Sequence, residues 1–293
     1  MTGRNAGVKA LTSRDIDGLL FAAEMYGLQL DQLGALLGVS VEHARTVASR
    51  WRKLGFAESA RLGPGPPWIW VTRSGLAACG LHYTAVPPAL SRLAHIRAVS
   101  AVRLALEVTA GYQQARAYWR SERRLHSGYR VGIRDHLPDG EVHWPDDGSA
   151  PEGAAAPEGV AAPEDAAASG GAAVLPWAGE CWAVEAELTR KTVARTAAIM
   201  RELLSRTGDY GCPAAAASVP GGSPRHARAL YLCSAAALPT VTRARDELGP
   251  LAARIEIRDL PADSPFPGAG PFPGDAAFPG EGRFPAHGAE VRG

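Results

Sequence analysis

The amino-terminal 80 residues repeat apolar positions at helical spacing in three segments. Ile16, Leu19, Leu20 and Ala23 follow a capping sequence and predict a first helix, and similar spacing predicts a second helix at about 30–37 and a third at about 41–54. The last two are separated only by Gly-Val-Ser at 38–40, in which glycine permits a sharp turn and Ser40 can cap the next helix. Two short strand-like runs, 56–62 and 68–72, and a terminal helix at 74–80 complete this segment.

This order of helix, tight turn, helix and two-stranded hairpin is typical of a winged helix-turn-helix domain, which we place at residues 1–84. The third helix would lie in the major groove, and the hairpin would form the wing. The candidate DNA-binding residues are Arg45, Thr46, Ser49, Arg50, Arg52, Lys53, Arg61 and Arg73. Residues 1–75 carry nine bases and six acids, a net charge of +3, which favours a homodimer or modest affinity for double-stranded DNA. Two alternatives are a solvated basic surface and a protein-interaction module.

The pattern changes after a Pro-Pro connector at 87–88. It predicts a long helix at about 89–110, strands near 129–133, 182–188, 229–233 and 254–259, a turn at 138–140, and helices at 192–205 and 238–248. Strands that alternate with helices indicate an α/β domain over residues 85–260. The whole chain is therefore predicted to be α+β.

Two segments differ in composition from the rest. Residues 146–176 are rich in Ala, Gly, Pro and acids and contain no base, and residues 261–293 repeat Phe-Pro-Gly. Such composition predicts a disordered insertion and a disordered tail.

The basic charge lies in the amino-terminal half, since residues 1–145 carry 18 Lys and Arg against 11 Asp and Glu, a net of +7. A polyanion would meet this local charge rather than the overall +1.

Several protein classes are disfavoured. The chain has no apolar run of the roughly 18–20 residues that would span a bilayer, and its first 15 residues lack the apolar region of a secretory signal. We therefore expect a cytoplasmic protein without a membrane partner. The four cysteines are far apart and lack metal-ligand spacing, so reduced thiols are expected and a zinc site is not. No Walker or dinucleotide-binding pattern follows a predicted strand.

Acidic residues in the second domain suggest a chemistry. A Pro-Asp turn at 138–139 is followed by a strand that carries Glu185, a spacer and Glu187. This arrangement resembles the PD-(D/E)XK restriction-endonuclease-like fold. The resemblance implies that Asp139 and Glu185 are ligands for Mg²⁺ and that Glu122 is an accessory acid, because a hard cation needs converging carboxylate oxygens.

The motif departs from the family pattern at its lysine. Glu187 occupies that position, and Lys191 could substitute only if its side chain reaches back. Alternatively, Glu187 pairs with Arg190, Arg195 or Arg123, and the domain is an inactive relative that needs no cofactor. We favour this non-catalytic interpretation. His95 is interpreted as a packing or hydrogen-bonding residue of the long helix, and His126, His136 and His143 as surface or loop residues.

The arrangement as a whole resembles the replication-relaxation family. The similarity lies in the helical run 93–107, the Trp119 to Arg123 segment, Pro138-Asp139-Gly140 and the run 182–191, within a span of about 11–260. It implies a DNA-associated role in replication or relaxation of a plasmid or integrative element, with replication or conjugation proteins as partners. Two alternatives remain: a metal-dependent DNA nuclease or nickase, and a transcriptional repressor with a ligand-sensing carboxyl-terminal domain.

Overall fold

The computed structural model describes residues 11–109, 112–113, 115–127, 136–145, 178–207 and 224–260. Across these residues the fold is mixed α+β, with a three-stranded antiparallel sheet and a five-stranded mixed sheet, and the predicted class is confirmed at this level. The predicted strand near 129–133, the acidic insertion and the Phe-Pro-Gly tail lie outside the described residues.

The first unit contains four helices and three short strands. They are α1 (Ser13–Glu24), β1 (Leu28–Gln29), α2 (Leu30–Leu36), α3 (Val41–Lys53), β2 (Ala57–Ala60), β3 (Trp68–Val71) and α4 (Arg73–Ala78). The strands pair antiparallel in the order β1–β3–β2. Strand β1 has two residues, too few to show an alternating pattern, and the sequence did not predict it. The predicted helices are present, and their ends differ by one or two residues.

Local sequence explains how α2 and α3 are joined. Gly38 adopts φ 58°, in the left-handed region that glycine enters without a steric penalty. The side chain of Ser40 then caps α3 by accepting a hydrogen bond from the backbone N–H of His43 at 3.2 Å. One face of α3 is buried through Ala44, Ala48 and Trp51, so its other face is left for solvent.

The second unit contains the larger sheet and its helices. They are α5 (Leu93–Glu107), β4 (Tyr118–Ser121), α6 (Glu122–Ser127), β5 (Gly140–His143), β6 (Cys181–Glu187), α7 (Val193–Ser205), β7 (Arg228–Cys233), α8 (Leu238–Asp246) and β8 (Ile255–Asp259). The strand order is β4–β5–β6–β7–β8, in which β4 to β6 are antiparallel and β6 to β8 are parallel.

Two predicted boundaries in this unit were wrong. The long helix was predicted to begin at 89, but 3₁₀ geometry occupies Leu90–Arg92 and α5 starts at Leu93. The turn predicted at 138–140 ends earlier, because Gly140 already pairs with Val184 in β5. Gly140 is required there by a close approach: a Cβ atom at this position would lie 1.9 Å from Cζ2 of Trp119.

Helices cover both faces of the larger sheet. Ala183 and Tyr231 belong to a buried cluster with α7 and α8, whereas Val184 and Ala186 face the other side. That second face belongs to a hydrophobic cluster which continues into the first unit as far as Trp51. The two sheets therefore share one core.

Polar contacts also join the two units. Arg123 of α6 donates to the carbonyl of Ala23 at 2.6 Å, and Arg103 of α5 pairs with Glu24 at 3.0 Å. The amide of Gln32 donates to the carbonyl of Arg97 at 2.8 Å. Helix α5 is thus fixed to the first unit along its length.

Candidate functional site

The exposed face of α3 carries most of the predicted DNA-binding residues. Arg45, Thr46, Arg52 and Lys53 are exposed, and Ser49 is half-buried. Arg45 is 3.4 Å from Glu42 in an exposed pair, which contributes little stability.

Four cations on this side have no partner within the described part of the chain. Arg52 and Lys53 at the end of α3, Arg61 after β2 and Arg73 at the start of α4 are exposed, and none forms an ion pair or hydrogen bond within the described residues. Arg14, which the sequence did not single out, is also exposed and lines a surface groove with His43 and Arg50. These charges are available to an external anion.

Arg50 has a different environment from the one predicted. Its guanidinium pairs with Asp15 of α1, a residue that is only 3% exposed and that also accepts a bond from the indole N–H of Trp51 at 2.8 Å. Burial raises the pKa of Asp15, but the hydrogen bonds from Thr12, Trp51 and Arg50 outweigh this and lower it. Arg50 therefore fastens α3 to α1.

Three acids predicted from the motif converge at one end of the larger sheet. Asp139 immediately precedes β5, and Glu185 and Glu187 occupy alternate positions of β6, on the face that packs against α7 and α8. Glu185 is 3% exposed and Glu187 is 4% exposed. We call these three residues the carboxylate cluster. Asp139 accepts a hydrogen bond from the backbone N–H of Ala186 at 2.8 Å, which fixes it beside β6.

Lys191 does reach back to the cluster. Its Nζ lies 2.5 Å from Oε1 of Glu187. The prediction that Glu187 pairs with Arg190, Arg195 or Arg123 was wrong: Arg190 and Arg195 are exposed without a partner among the described residues, and Arg123 bonds to backbone carbonyls. The basic residue that the motif lacks at position 187 is thus supplied from the β6–α7 loop.

Two histidines complete the cluster. Nε2 of His95 is 2.7 Å from Asp139, as expected for a hydrogen-bonding residue of α5. His136 is a loop residue, as interpreted from the sequence, but it is half-buried and its Nε2 is 2.7 Å from Glu185. Burial lowers both histidine pKa values, but the hydrogen bond and charge of each partner carboxylate outweigh it and raise them. The two contacts span 44 and 49 residues, and no local pattern announces them.

The electrostatic state of Glu185 follows from its crowding. Burial and the neighbouring charges of Asp139 and Glu187 raise its pKa to about 7, against the opposing effect of His136. Perturbed carboxyl pKa values are typical of functional sites. Tyr231 of β7 lies beside Glu185 in register, and its hydroxyl is buried with no hydrogen-bond partner in the described part of the chain.

The predicted accessory acid, Glu122, lines the same small cavity as Asp139, and its backbone N–H donates to the carbonyl of Asp139 at 3.2 Å. The cavity is lined by residues of both units, among them Tyr26, Arg92, His95, Glu122 and Asp139. Glu122 pairs with Arg92 at 2.7 Å, so its charge is already balanced. Glu122 is close to the site, but its carboxylate is paired with Arg92.

A second polar cluster lies at the other end of β5 and β6. Glu141, His143 and Cys181 place three potential metal-ligand atoms within 4.8 Å of one another. Both oxygens of Glu141 are held by Arg225 at 2.7 Å, and His226 approaches at 2.8 Å. Burial raises the pKa of Glu141, but its hydrogen bonds to His143, His226 and Arg225 pull it well below the usual range. A cation here would have to displace a buried arginine.

Among the described residues only the Glu141 group brings three ligand atoms within 4.8 Å of one another, but the carboxylate cluster has the ligand chemistry that a hard divalent cation prefers. Asp139 and Glu185 offer hard oxygen ligands of the kind that Mg²⁺ prefers, and an orphaned hydroxyl lies beside them. Their only side-chain partners among the described residues are neutralisable histidines. The residues present are therefore compatible with Mg²⁺ or Mn²⁺.

Comparison of the chain with protein-family models, with curated proteins and with solved structures gave no match. Among the described residues, no helix combines the length and apolar character needed to cross a bilayer.

Proposed function

We propose that the chain binds duplex DNA through α3 and the β2–β3 hairpin, in the manner of a winged helix-turn-helix domain. The observation that carries the proposal is a set of four exposed cations that have no partner among the described residues, Arg52, Lys53, Arg61 and Arg73. Phosphate contacts supply most non-specific affinity for DNA, and they need cations that are not already neutralised. The order of helices and strands and the sheet order β1–β3–β2 support the same assignment.

The second unit supports a restriction-endonuclease-like assignment for residues 85–260. A helix precedes three antiparallel strands, and a second helix then leads to a parallel strand. The acids of the motif lie before the second of these strands and on the third, where the fold family carries its metal ligands. In this proposal the cluster holds a divalent cation, and Asp139 and Glu185 are its ligands.

The two proposed sites are supported by one helix. A Cβ atom on Gly63, in the hairpin loop, would be 3.7 Å from Cδ1 of Leu93 in the first turn of α5. His95, in the same turn, contacts Asp139. A helix is about 10–12 Å across, close to the roughly 12 Å width of the major groove. Helix α3 therefore matches the groove in width, and both the hairpin loop and the carboxylate cluster lie near the first turn of α5.

The biological role we propose is replication or relaxation of a plasmid or integrative element, or its regulation. A homodimer on DNA, with replication or conjugation proteins as partners, belongs to the same proposal. The second candidate function is metal-dependent DNA cleavage, which the convergence of Asp139, Glu185, Glu187 and Lys191 favours. Nothing comparable in the described residues favours a ligand-sensing repressor.

Binding to DNA is tested by the double variant Arg52→Ala, Lys53→Ala. Loss of two phosphate contacts should reduce the slope of log affinity against log salt by about 2. The control Arg243→Ala, Arg245→Ala removes the same charge from α8, where both residues lie near acids, and should leave the slope unchanged. Equal slopes for all three proteins would remove α3 from the interface.

Cleavage is tested separately with supercoiled plasmid and Mg²⁺ or Mn²⁺. Nicking that disappears in Asp139→Asn would establish the second candidate. An intact plasmid, with DNA binding retained, would leave the non-catalytic role that the sequence favours.

A further inference from the structure

Tyr231 has no role in the function proposed so far, and its surroundings are unusual. It lies in the middle of β7, opposite Glu185 in the parallel register, and is 0% exposed. Residues in register on adjacent parallel strands direct their side chains to the same face of the sheet. The Tyr231 ring therefore lies on the face that carries Glu185 and Glu187.

The hydroxyl of Tyr231 has no hydrogen-bond partner within the described residues. Buried hydroxyl groups in native proteins nearly always have one, in protein or in ordered water. Burial and then the charges of Glu185, Glu187 and Asp139 raise the Tyr231 pKa well above its ordinary value. The group is thus a neutral donor, and it lies close enough to all three carboxylates to feel their charge.

The donor that the motif expects is otherwise engaged. In the PD-(D/E)XK pattern a lysine two residues after the acid orients water, whereas Glu187 stands there in this chain. Lys191 neutralises Glu187 at 2.5 Å. The Tyr231 hydroxyl is a buried donor on this face that has no partner among the described residues, and burial together with the charges of the cluster raises its pKa.

We propose that Tyr231 is a positioning residue whose hydroxyl donates a hydrogen bond to a water molecule on a divalent cation held by Asp139 and Glu185. The proposal rests on the cation site of the proposed function. It assigns to a tyrosine of the neighbouring strand the water-orienting task of the missing lysine. An ordered water would also satisfy the otherwise orphaned hydroxyl.

The test is Tyr231→Phe in the full chain, with Mn²⁺ alone as the probe. Mn²⁺ affinity is measured by isothermal titration calorimetry, and bound water by water-proton relaxation. Partners of metal-bound groups typically change affinity by 10- to 100-fold, so we expect the Mn²⁺ dissociation constant to rise about 10-fold. The rate at which the Mn²⁺-bound water exchanges with solvent should also differ between the variant and the wild type. Without Mn²⁺ the variant should be at least as stable as the wild type, because the substitution removes a polar group that has no partner.

Two controls separate the possible failures. Tyr118→Phe alters a tyrosine that stacks on His143 at the other end of the sheet, and it should leave Mn²⁺ binding unchanged. Asp139→Asn should abolish binding. If the wild type binds no Mn²⁺, the cation site itself is overturned, and this proposal with it. If Tyr231→Phe binds as the wild type does, or only loses stability without Mn²⁺, the cation site stands and the role of Tyr231 is overturned.

Discussion

Because Glu185 is buried close to the charges of Asp139 and Glu187, its ionisation should lower the free energy of unfolding. Its pKa rises from 4.5 to about 7 on folding, and one pKa unit corresponds to about 1.4 kcal/mol, so the shift amounts to about 3 kcal/mol. The folded protein holds this proton more tightly than the unfolded chain does. In cation-free buffer the contribution of Glu185 to the free energy of unfolding should therefore be largest below pH 4.5 and should be lost as pH rises through 7, whereas Asp15 and Glu141, whose pKa values are lowered, lose their contributions as pH falls. The raised pKa values of His95 and His136 act in the same direction as that of Glu185, because their contribution is lost as pH rises above 6.5.

Glu185→Gln removes the ionisation and keeps the shape. We expect the variant to be more stable than the wild type by about 3 kcal/mol at pH 8, and nearly equal to it at pH 4.5. For a chain of this size the difference corresponds to roughly 6–12 °C in the melting temperature. Thermal and urea unfolding in EDTA, followed by circular dichroism, measures both quantities. Saturating Mn²⁺ should reduce the difference in stability between the variant and the wild type, because a bound cation stabilises the ionised carboxylate of Glu185.

The matched control is Glu141→Gln, because Glu141 lies on the same face of the sheet but belongs to a different interaction network, with Arg225 and His226. Glu141 is fully buried, yet Arg225 holds both of its oxygens at 2.7 Å. Replacing it leaves a buried arginine without its counter-charge, which typically costs about 3–5 kcal/mol. The same substitution should thus stabilise at Glu185 and destabilise at Glu141. Destabilisation at both sites at pH 8 would refute the account of the carboxylate cluster.

Two further substitutions test how the site is supported. Arg123→Ala should lower the free energy of unfolding by about 2–5 kcal/mol, because the carbonyls of Ala23 and Thr84 lose a buried donor. Arg123→Lys should restore little of that stability, since an ammonium group lacks the two-pronged guanidinium that donates to both carbonyls. Gly140→Ala should destabilise by about 1–3 kcal/mol through its clash with Trp119 and should also weaken Mn²⁺ binding, because Asp139 is the preceding residue. Urea unfolding and calorimetry measure these effects, and an unchanged Mn²⁺ affinity in a folded Gly140→Ala protein would contradict the second.

The sequence predicted the elements that have a strong local pattern. Helix α3 has an apolar stripe, a serine cap and a preceding glycine, and its limits were accurate to one residue. Strand β5 was missed because Gly140-Glu141-Val142-His143 has the composition of a polar turn. Glu141 is buried only because Arg225 and His226 neutralise it from more than 80 residues away. A buried charge of this kind cannot be recognised without the distant partner.

In the candidate site, too, the sequence predicted the features that have a local pattern and missed those that depend on distant residues. The resemblance to the PD-(D/E)XK pattern implied that Asp139 lies beside Glu185, and alternation along a strand put Glu185 and Glu187 on one face. Tyr231 was part of an apolar strand, and nothing in that strand indicates that its hydroxyl lacks a partner. Arg50 and Arg52 are two residues apart on one helix and looked equivalent, but Arg50 pairs with Asp15 of α1 and Arg52 has no partner among the described residues.

Helix α5 links the two proposed activities physically. Its first turn contains Leu93, whose Cδ1 would lie 3.7 Å from a Cβ atom placed on Gly63 of the hairpin loop, and His95, which contacts the carboxylate cluster. Arg97 in the next turn pairs with Asp31 at 2.7 Å. Because α5 is tightly packed, it acts as a rigid element. The distance between the hairpin loop and the carboxylate cluster, which both lie near its first turn, is therefore fixed. In the proposed complex, a duplex bound at the hairpin would then lie at a fixed distance from the cluster. In the proposed cleavage reaction, the cut should fall at a constant offset from the bases that α3 protects.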